Sequence, residues 1–178
     1  MRVHLGSDHA GLDLKEHLVG WLADHGYEAV DHGPFVYDDQ DDYPVFCLRA
    51  AEAVADEPGS LGVVIGGSGN GEAIAANKVR GVRCALAWSE VTAVLGRQHN
   101  DANVVSVGGR MHTVEEMTHF VEVFLATDFS DEQRHQRRID MLADYEKTGN
   151  LPPLPPSATG SAPGSATGSA TGHRPADA

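Results

Sequence analysis

Positive charge is scarce in this chain: 13 Lys and Arg stand against 26 Asp and Glu, a formal net charge of −13. So acidic a molecule has no general attraction for nucleic acid or an anionic membrane. Any phosphate it binds must be gripped by a local basic cluster working against the global field. Cysteine is nearly absent too. Cys47 and Cys84 are not spaced as metal ligands and imply no disulfide framework, and Cys84, inside VRCALAW, reads as a buried thiol. No apolar run is long enough to cross a bilayer, and the opening MRVHLGSDHAG has no signal-peptide pattern. These absences predict a soluble, cytoplasmic protein with no membrane or nucleic-acid partner. Large side chains are missing altogether from residues 157–172, SATGSAPGSATGSATG, which cannot offset the entropy of being ordered. The expected organisation is one globular domain over residues 1–150, followed by a disordered Ser/Ala/Thr/Gly/Pro-rich tail over residues 151–178.

Within the domain, short apolar runs alternate with amphipathic ones. Strands are expected near residues 2–6, 28–31, 61–66, 83–88 and 103–107. Helices are expected near 12–25, 44–56, 71–78, 90–99, 114–127 and 131–148. This alternation predicts an α/β fold: a three-layer α/β/α sandwich around a five-stranded parallel, Rossmann-like sheet. Ligands of such sheets bind at the carboxyl ends of the strands, where the strand order reverses.

Unusual residues collect in the loops around those strands. The third strand runs into Gly66-Gly67-Ser68-Gly69-Asn70-Gly71-Glu72. An ordinary strand–helix turn needs one or two glycines, and here there are four. Four let the backbone turn several N–H groups to one side, which favours an anion hole. Neither frame of the loop fits G-x-G-x-x-G: Ser68 spoils one and Glu72 the other, and the Gly-Lys-Ser/Thr ending of a Walker loop is missing. Glu72 either complements the first turn of the next helix or is a general base beside the hole. Position alone leaves both roles open. The first strand ends in Gly6-Ser7-Asp8-His9-Ala10-Gly11. Asp31 lies about 20 residues further on, as in a dinucleotide site. Yet Asp8 stands where the second glycine belongs and would set a carboxylate against a pyrophosphate. Asp8 and His9 read instead as a proton-handling or hydroxyl-binding pair, and Asp8 can also cap the following helix.

Two basic clusters remain. Arg97-Gln98-His99-Asn100 precedes the fifth strand, and Gly108-Gly109-Arg110 follows it. Taken singly, His99 and Arg110 are equally consistent with surface residues. Arg134-His135-Gln136-Arg137-Arg138 holds three arginines in five residues. Arg134 and Arg138 are four apart and share a helical face. They form either a phosphate clamp or a solvated face.

The segments GSDHAG, DDYP (residues 41–44), GGSGNGEAIAANK, RQHNDANVVSVGGR and RHQRR, in that order, resemble the ribose-5-phosphate isomerase B family, which includes the galactose-6-phosphate isomerase subunits. The resemblance spans nearly all of residues 1–148. It implies metal-free, cofactor-free isomerisation of a phosphopentose through a cis-enediolate, in the non-oxidative branch of the pentose phosphate pathway. It also implies a homodimer whose active sites are shared across the interface. Carried over by residue, it implies that Asp8 and His9 bind the substrate near its ring-opening end and that Gly67, Ser68, Gly69, Asn70 and Gly71 form the anion hole. Tyr43 then lines the pocket, Asn100, Arg110, Arg134 and Arg138 hold hydroxyls and phosphate, and His99 donates the proton that opens the furanose ring. One departure is informative. Many members carry a cysteine base at the end of the third strand, where this chain has Gly66, and the subgroup with the GGSGNGE pattern uses a glutamate, here Glu72. A 6-phosphohexose isomerase would use the same parts. A non-catalytic sugar-phosphate sensor would not need Glu72 and His99 together.

Overall fold

The computed structural model describes residues 1–155. Of the tail expected over 151–178, residues 156–178 lie outside the described residues, and 151–155 are exposed with no helix or strand. Five strands form one sheet: β1 (Arg2–Ser7), β2 (Glu28–Asp31), β3 (Leu61–Gly66), β4 (Cys84–Leu86) and β5 (Val104–Gly108). All neighbours pair in parallel, in the order β2-β1-β3-β5-β4. The order reverses between β1 and β3, so their carboxyl ends frame the expected crevice.

Alternation along the strands builds the three layers. Val3 and Leu5 of β1, Val63 and Ile65 of β3, and Val105 and Val107 of β5 face one way. There they pack on Leu14, Leu18 and Leu22 of α1 (Leu12–Asp24) and on Phe120, Val121 and Phe124 of α5 (Val114–Ala126). Val64 and Val104 face the other way, onto Cys47, Ala50 and Val54 of α2 (Tyr43–Asp56) and Ala75 and Ala76 of α3 (Asn70–Ala76). α4 (Glu90–Asn100) packs beside α5, and α6 (Gln133–Thr148) lies across α4 with only His135 and Ile139 buried. The expected sandwich is therefore present. No helix among the described residues is long and apolar enough to cross a membrane.

Element ends shift for local reasons. α3 stops at Ala76 because the Asn77 side chain donates to Ala73 O (2.8 Å) and Cys84 O (3.0 Å), tying the helix end to β4. α6 starts at Gln133 rather than 131 because Asp131 adopts a left-handed φ of 53°. β4, an edge strand, is only three residues long, shorter than the 83–88 run suggests. Cys84 upon it is half-buried as a residue, with burial pushing its thiol well above the usual range, whereas Cys47 is inaccessible. Both thiols are free.

Candidate active site

The crevice is assembled from three backbone segments that touch. Asp8 N–H donates to Ile65 O (3.3 Å), Gly109 N–H to Gly66 O (2.7 Å) and Arg110 N–H to Gly67 O (3.1 Å). These bonds draw the ends of β1, β3 and β5 together. Asp8 caps a 3-10 turn, His9–Gly11, through Oδ1, which accepts from Ala10 N–H (2.9 Å) and Gly11 N–H (3.2 Å). The capping role and a place in the crevice thus coexist. Gly69, at φ 81°, reverses the chain into α3, and a side chain there would strike Leu86 and Ser106. The backbone N–H groups of Gly67, Ser68 and Gly71 have no acceptor among the described residues. An anion hole would draw on free donors of this kind. Asn70 leans on Ser68, its side-chain nitrogen 3.1 Å from the hydroxyl.

Two side chains close over this loop. A Cβ on Gly71 would lie 2.8 Å from the Tyr43 ring, so the glycine makes room for the tyrosine at the start of α2. A Cβ on Gly67 would lie 3.6 Å from Arg110 Cδ, which puts that guanidinium stem over the loop. Arg110 itself is exposed and forms no ion pair among the described residues.

Glu72 turns back from α3 into the crevice. Its side chain is only 4% exposed, and Oε2 is sealed with no partner. Its carboxyl group occupies the very volume a side chain at position 66 would fill: a Cβ built on Gly66 overlaps Oε1 and lies 2.7 Å from Oε2. Burial pushes the Glu72 carboxyl above the ordinary glutamate range. The nearby Asp8 charge adds to the rise, while the N–H groups of Glu72 and Gly69 oppose it. A carboxylate costly to ionise, unpaired, and beside free amide donors is suited to accepting a proton from carbon.

His9 lies alongside, its Nδ1 2.7 Å from Asp41 Oδ1. Asp8, His9 and Asp41 present potential ligand atoms within 4.8 Å of one another, the one such cluster among the described residues. Two of those atoms are already bonded to each other, and Asp8 Oδ1 is committed to its cap.

The remaining predicted residues are not here. α4 runs antiparallel to the strands and ends at Asn100, and Asn103 O then accepts from Gly62 N–H (2.9 Å) at the amino end of β3. Roughly 13 Å of strand separates Gly62 from Gly66. His99, Asn100, Arg134 and Arg138 therefore sit at the far end of the sheet, and the grouping of Asn100, Arg134 and Arg138 with Arg110 does not occur within the single chain. There His99 meets His135, ring centroids 4.2 Å apart, and His135 Nδ1 lies 2.8 Å from Ser130 Oγ. Burial first, then the neighbouring His99 and Arg134 charges, push His135 below the usual histidine range. Arg134 pairs with Glu132 (2.7 Å), while Arg138 is exposed and unpaired among the described residues.

The sequence and fold of the chain have close parallels among known proteins. The family model described as "Ribose/Galactose Isomerase" matches residues 3–142. The chain belongs to the ribose/galactose isomerase family. Within that family, ribose-5-phosphate isomerase B of Mycobacterium tuberculosis (strain H37Rv) is 57% identical over 155 residues, 87% of this chain and 96% of that protein. Among solved structures, ribose-5-phosphate isomerase B from Mycoplasma genitalium with bound ribulose-5-phosphate superposes with a TM-score of 0.79 at 42% identity, covering 83% of this chain and 97% of that one. The type B ribose 5-phosphate isomerase of Trypanosoma cruzi gives the same TM-score of 0.79 at 42% identity, over 84% and 98%. Every residue assigned to a site from the sequence falls inside the matched family segment.

Proposed function

We infer that the chain is an aldose–ketose isomerase interconverting D-ribose 5-phosphate and D-ribulose 5-phosphate. The observation that carries the mechanism is the Glu72 carboxyl group, buried in the place of a residue-66 side chain beside unsatisfied backbone donors. With the sugar opened, Glu72 takes the proton from C2, and the electron pair moves toward C1 while charge develops on O1. The amides of the Gly67–Gly71 loop stabilise that oxygen, and each such donor contributes about 3–4 kcal/mol in comparable oxyanion holes. A proton passes from O2 to O1, Glu72 returns its proton to C1, and the ketose stands. Asp8, His9 and Tyr43 hold the hydroxyls. No step needs a metal or a cofactor.

Ring opening by His99 and phosphate binding by Asn100, Arg134 and Arg138 require a second copy. The surface of α4 supports this reading. Val91 and Leu95, 63% and 37% exposed, form a stripe at helical spacing that ends at His99, and Trp88, 46% exposed, stands just before the helix. α4 spans about 16 Å, close to the gap between the two half-sites. Two copies packed antiparallel along that stripe would carry His99 of each to the Glu72 end of the other, giving a homodimer with two shared sites. The same reading puts the enzyme in the cytoplasm, in keeping with two free cysteines.

The direct test supplies ribose 5-phosphate and, separately, 6-phosphohexoses to the purified protein in EDTA and follows ketose formation. Turnover of the pentose is expected undiminished by chelation. A preference for the hexose would reassign the substrate, and loss of activity in EDTA would overturn the metal-free chemistry. The shared site has its own signature. Glu72→Gln and His99→Asn proteins, each inactive alone, should regain activity when mixed and allowed to exchange subunits, up to about one quarter of wild type because only one site of each mixed dimer is intact. No recovery, with exchange verified by mass spectrometry, would place each whole site within one subunit.

A further inference from the structure

The acidic run Asp38-Asp39-Gln40-Asp41-Asp42 precedes α2, and a solvated surface loop would expose all of it. One member is withdrawn. The Asp41 side chain is only 9% exposed, whereas Asp38, Asp39 and Asp42 are in solvent. Its Oδ1 accepts from the backbone N–H of His9 (2.9 Å) and from His9 Nδ1 (2.7 Å), and Oδ2 is buried with no partner. Every hydrogen bond this carboxylate side chain makes among the described residues therefore goes to one histidine. A buried carboxylate left half-satisfied is costly, and the bonds that this one does make hold His9. Bonding at Nδ1 also fixes the ring chemically. Facing a carboxylate oxygen, Nδ1 is the donor of this pair, and in the neutral ring Nε2 is then the acceptor. Nε2 has no partner among the described residues, and a fifth of the side chain remains open beside Asp8. Two residues after Asp41, the same loop delivers Tyr43 to Gly71. The segment thus ties the His9 turn to the wall of the pocket.

We propose that Asp41 is a positioning residue, which locks His9 as the Nδ1–H tautomer so that Nε2 accepts a hydrogen bond from a hydroxyl of the open sugar phosphate. This rests on the isomerase reading for its substrate but not for its tautomer. A histidine free to flip would offer Nε2 as donor as often as acceptor, and the sugar hydroxyl would lose its fixed direction.

The experiment has two arms on the full-length protein. In the first, 15N spectra of histidine-labelled protein without sugar, with His9 identified from its absence in His9→Gln, should show the Nδ1–H tautomer. Asp41→Ala should convert it to a mixture, and Asp41→Asn, whose amide oxygen still accepts, should largely keep it. In the second, Asp41→Ala should lower kcat/KM for ribose 5-phosphate about 10- to 100-fold, the scale seen for groups that orient a functional histidine. The same change made in a His9→Gln background should cost almost nothing further. An unchanged tautomer in Asp41→Ala, or an equal kinetic loss in both backgrounds, overturns the proposal. Absence of any isomerase activity in the wild type would instead fault the functional reading and leave the tautomer arm intact.

Discussion

Glu72→Gln lowers kcat by at least about 10³-fold, within the range for loss of a positioned general base, while KM changes little. Glutamine matches glutamate in size, so the packing around a side chain that is 4% exposed survives. What is lost is the ability to take a proton from carbon, which an amide cannot do. Stability moves the opposite way from activity. The folded protein holds the Glu72 carboxyl above its ordinary range, with burial the main cause. Between the unfolded value near 4.5 and the higher folded value, the unfolded chain releases its proton first. Glu72 therefore contributes a loss of stability as pH rises through that window, and the loss persists at neutral pH. Glutamine removes it, so the variant should melt at the same temperature or higher at pH 7.5. The raised value also sets the activity profile. In the wild type the acidic limb of kcat/KM should fall above the usual glutamate range, since the base works only when ionised. Steady-state kinetics across pH 4–9 and thermal melts check all three. Near-normal turnover by Glu72→Gln, or an acidic limb at or below 4.5, would remove this carboxylate from the reaction.

Much of the fold was legible because the core strands carry their own punctuation. β2 and β3 occupy the residues expected, since each is a short apolar run closed by a charge or by glycines. β4 was overestimated because residues 83–88 are apolar enough to look like a full strand, while the sheet edge supplies only one neighbour to hold it. The anion loop was legible too, because no ordinary turn needs four glycines. Asp41 was not. Its partner lies 32 positions away, and within an acidic run no local spacing distinguishes the one side chain that folds inward. Nor does a motif say at which end of the sheet it will stand. RQHN and RHQRR carry the right chemistry, but helices that return antiparallel to the strands deliver them to the amino edge, away from Glu72. Only the topology exposes that separation. The shared site, implied by resemblance alone at the level of sequence, thereby gains a geometric reason.

Gly66→Ala is the sharpest test of where the base resides, because it adds one methyl group and removes no catalytic atom. Gly66 ends β3 opposite Gly108 and does not adopt a left-handed φ, so its backbone tolerates alanine. The difficulty is spatial. The new Cβ would overlap Glu72 Oε1 and press on Oε2 at 2.7 Å. That neighbour is the far end of a flexible side chain, so the fold yields by swinging the carboxyl group aside, at a cost of about 1–3 kcal/mol, typical of overpacking. Catalysis is less forgiving, since displacing a reacting group by about 1 Å can cost 10²-fold in rate. Gly66→Ala should therefore remain folded, bind ribose 5-phosphate with a KM close to wild type, and lose kcat by about 10²-fold or more. A cysteine at this position would place its Cβ in the volume that the carboxyl group now fills, so a thiol base here and a glutamate base at position 72 would compete for one volume. In the proposed mechanism the glycine matters as much as the acid it accommodates. If Gly66→Ala turned over at nearly the wild-type rate, the carboxyl group would not need the position it occupies, and the base would have to be sought elsewhere in the crevice.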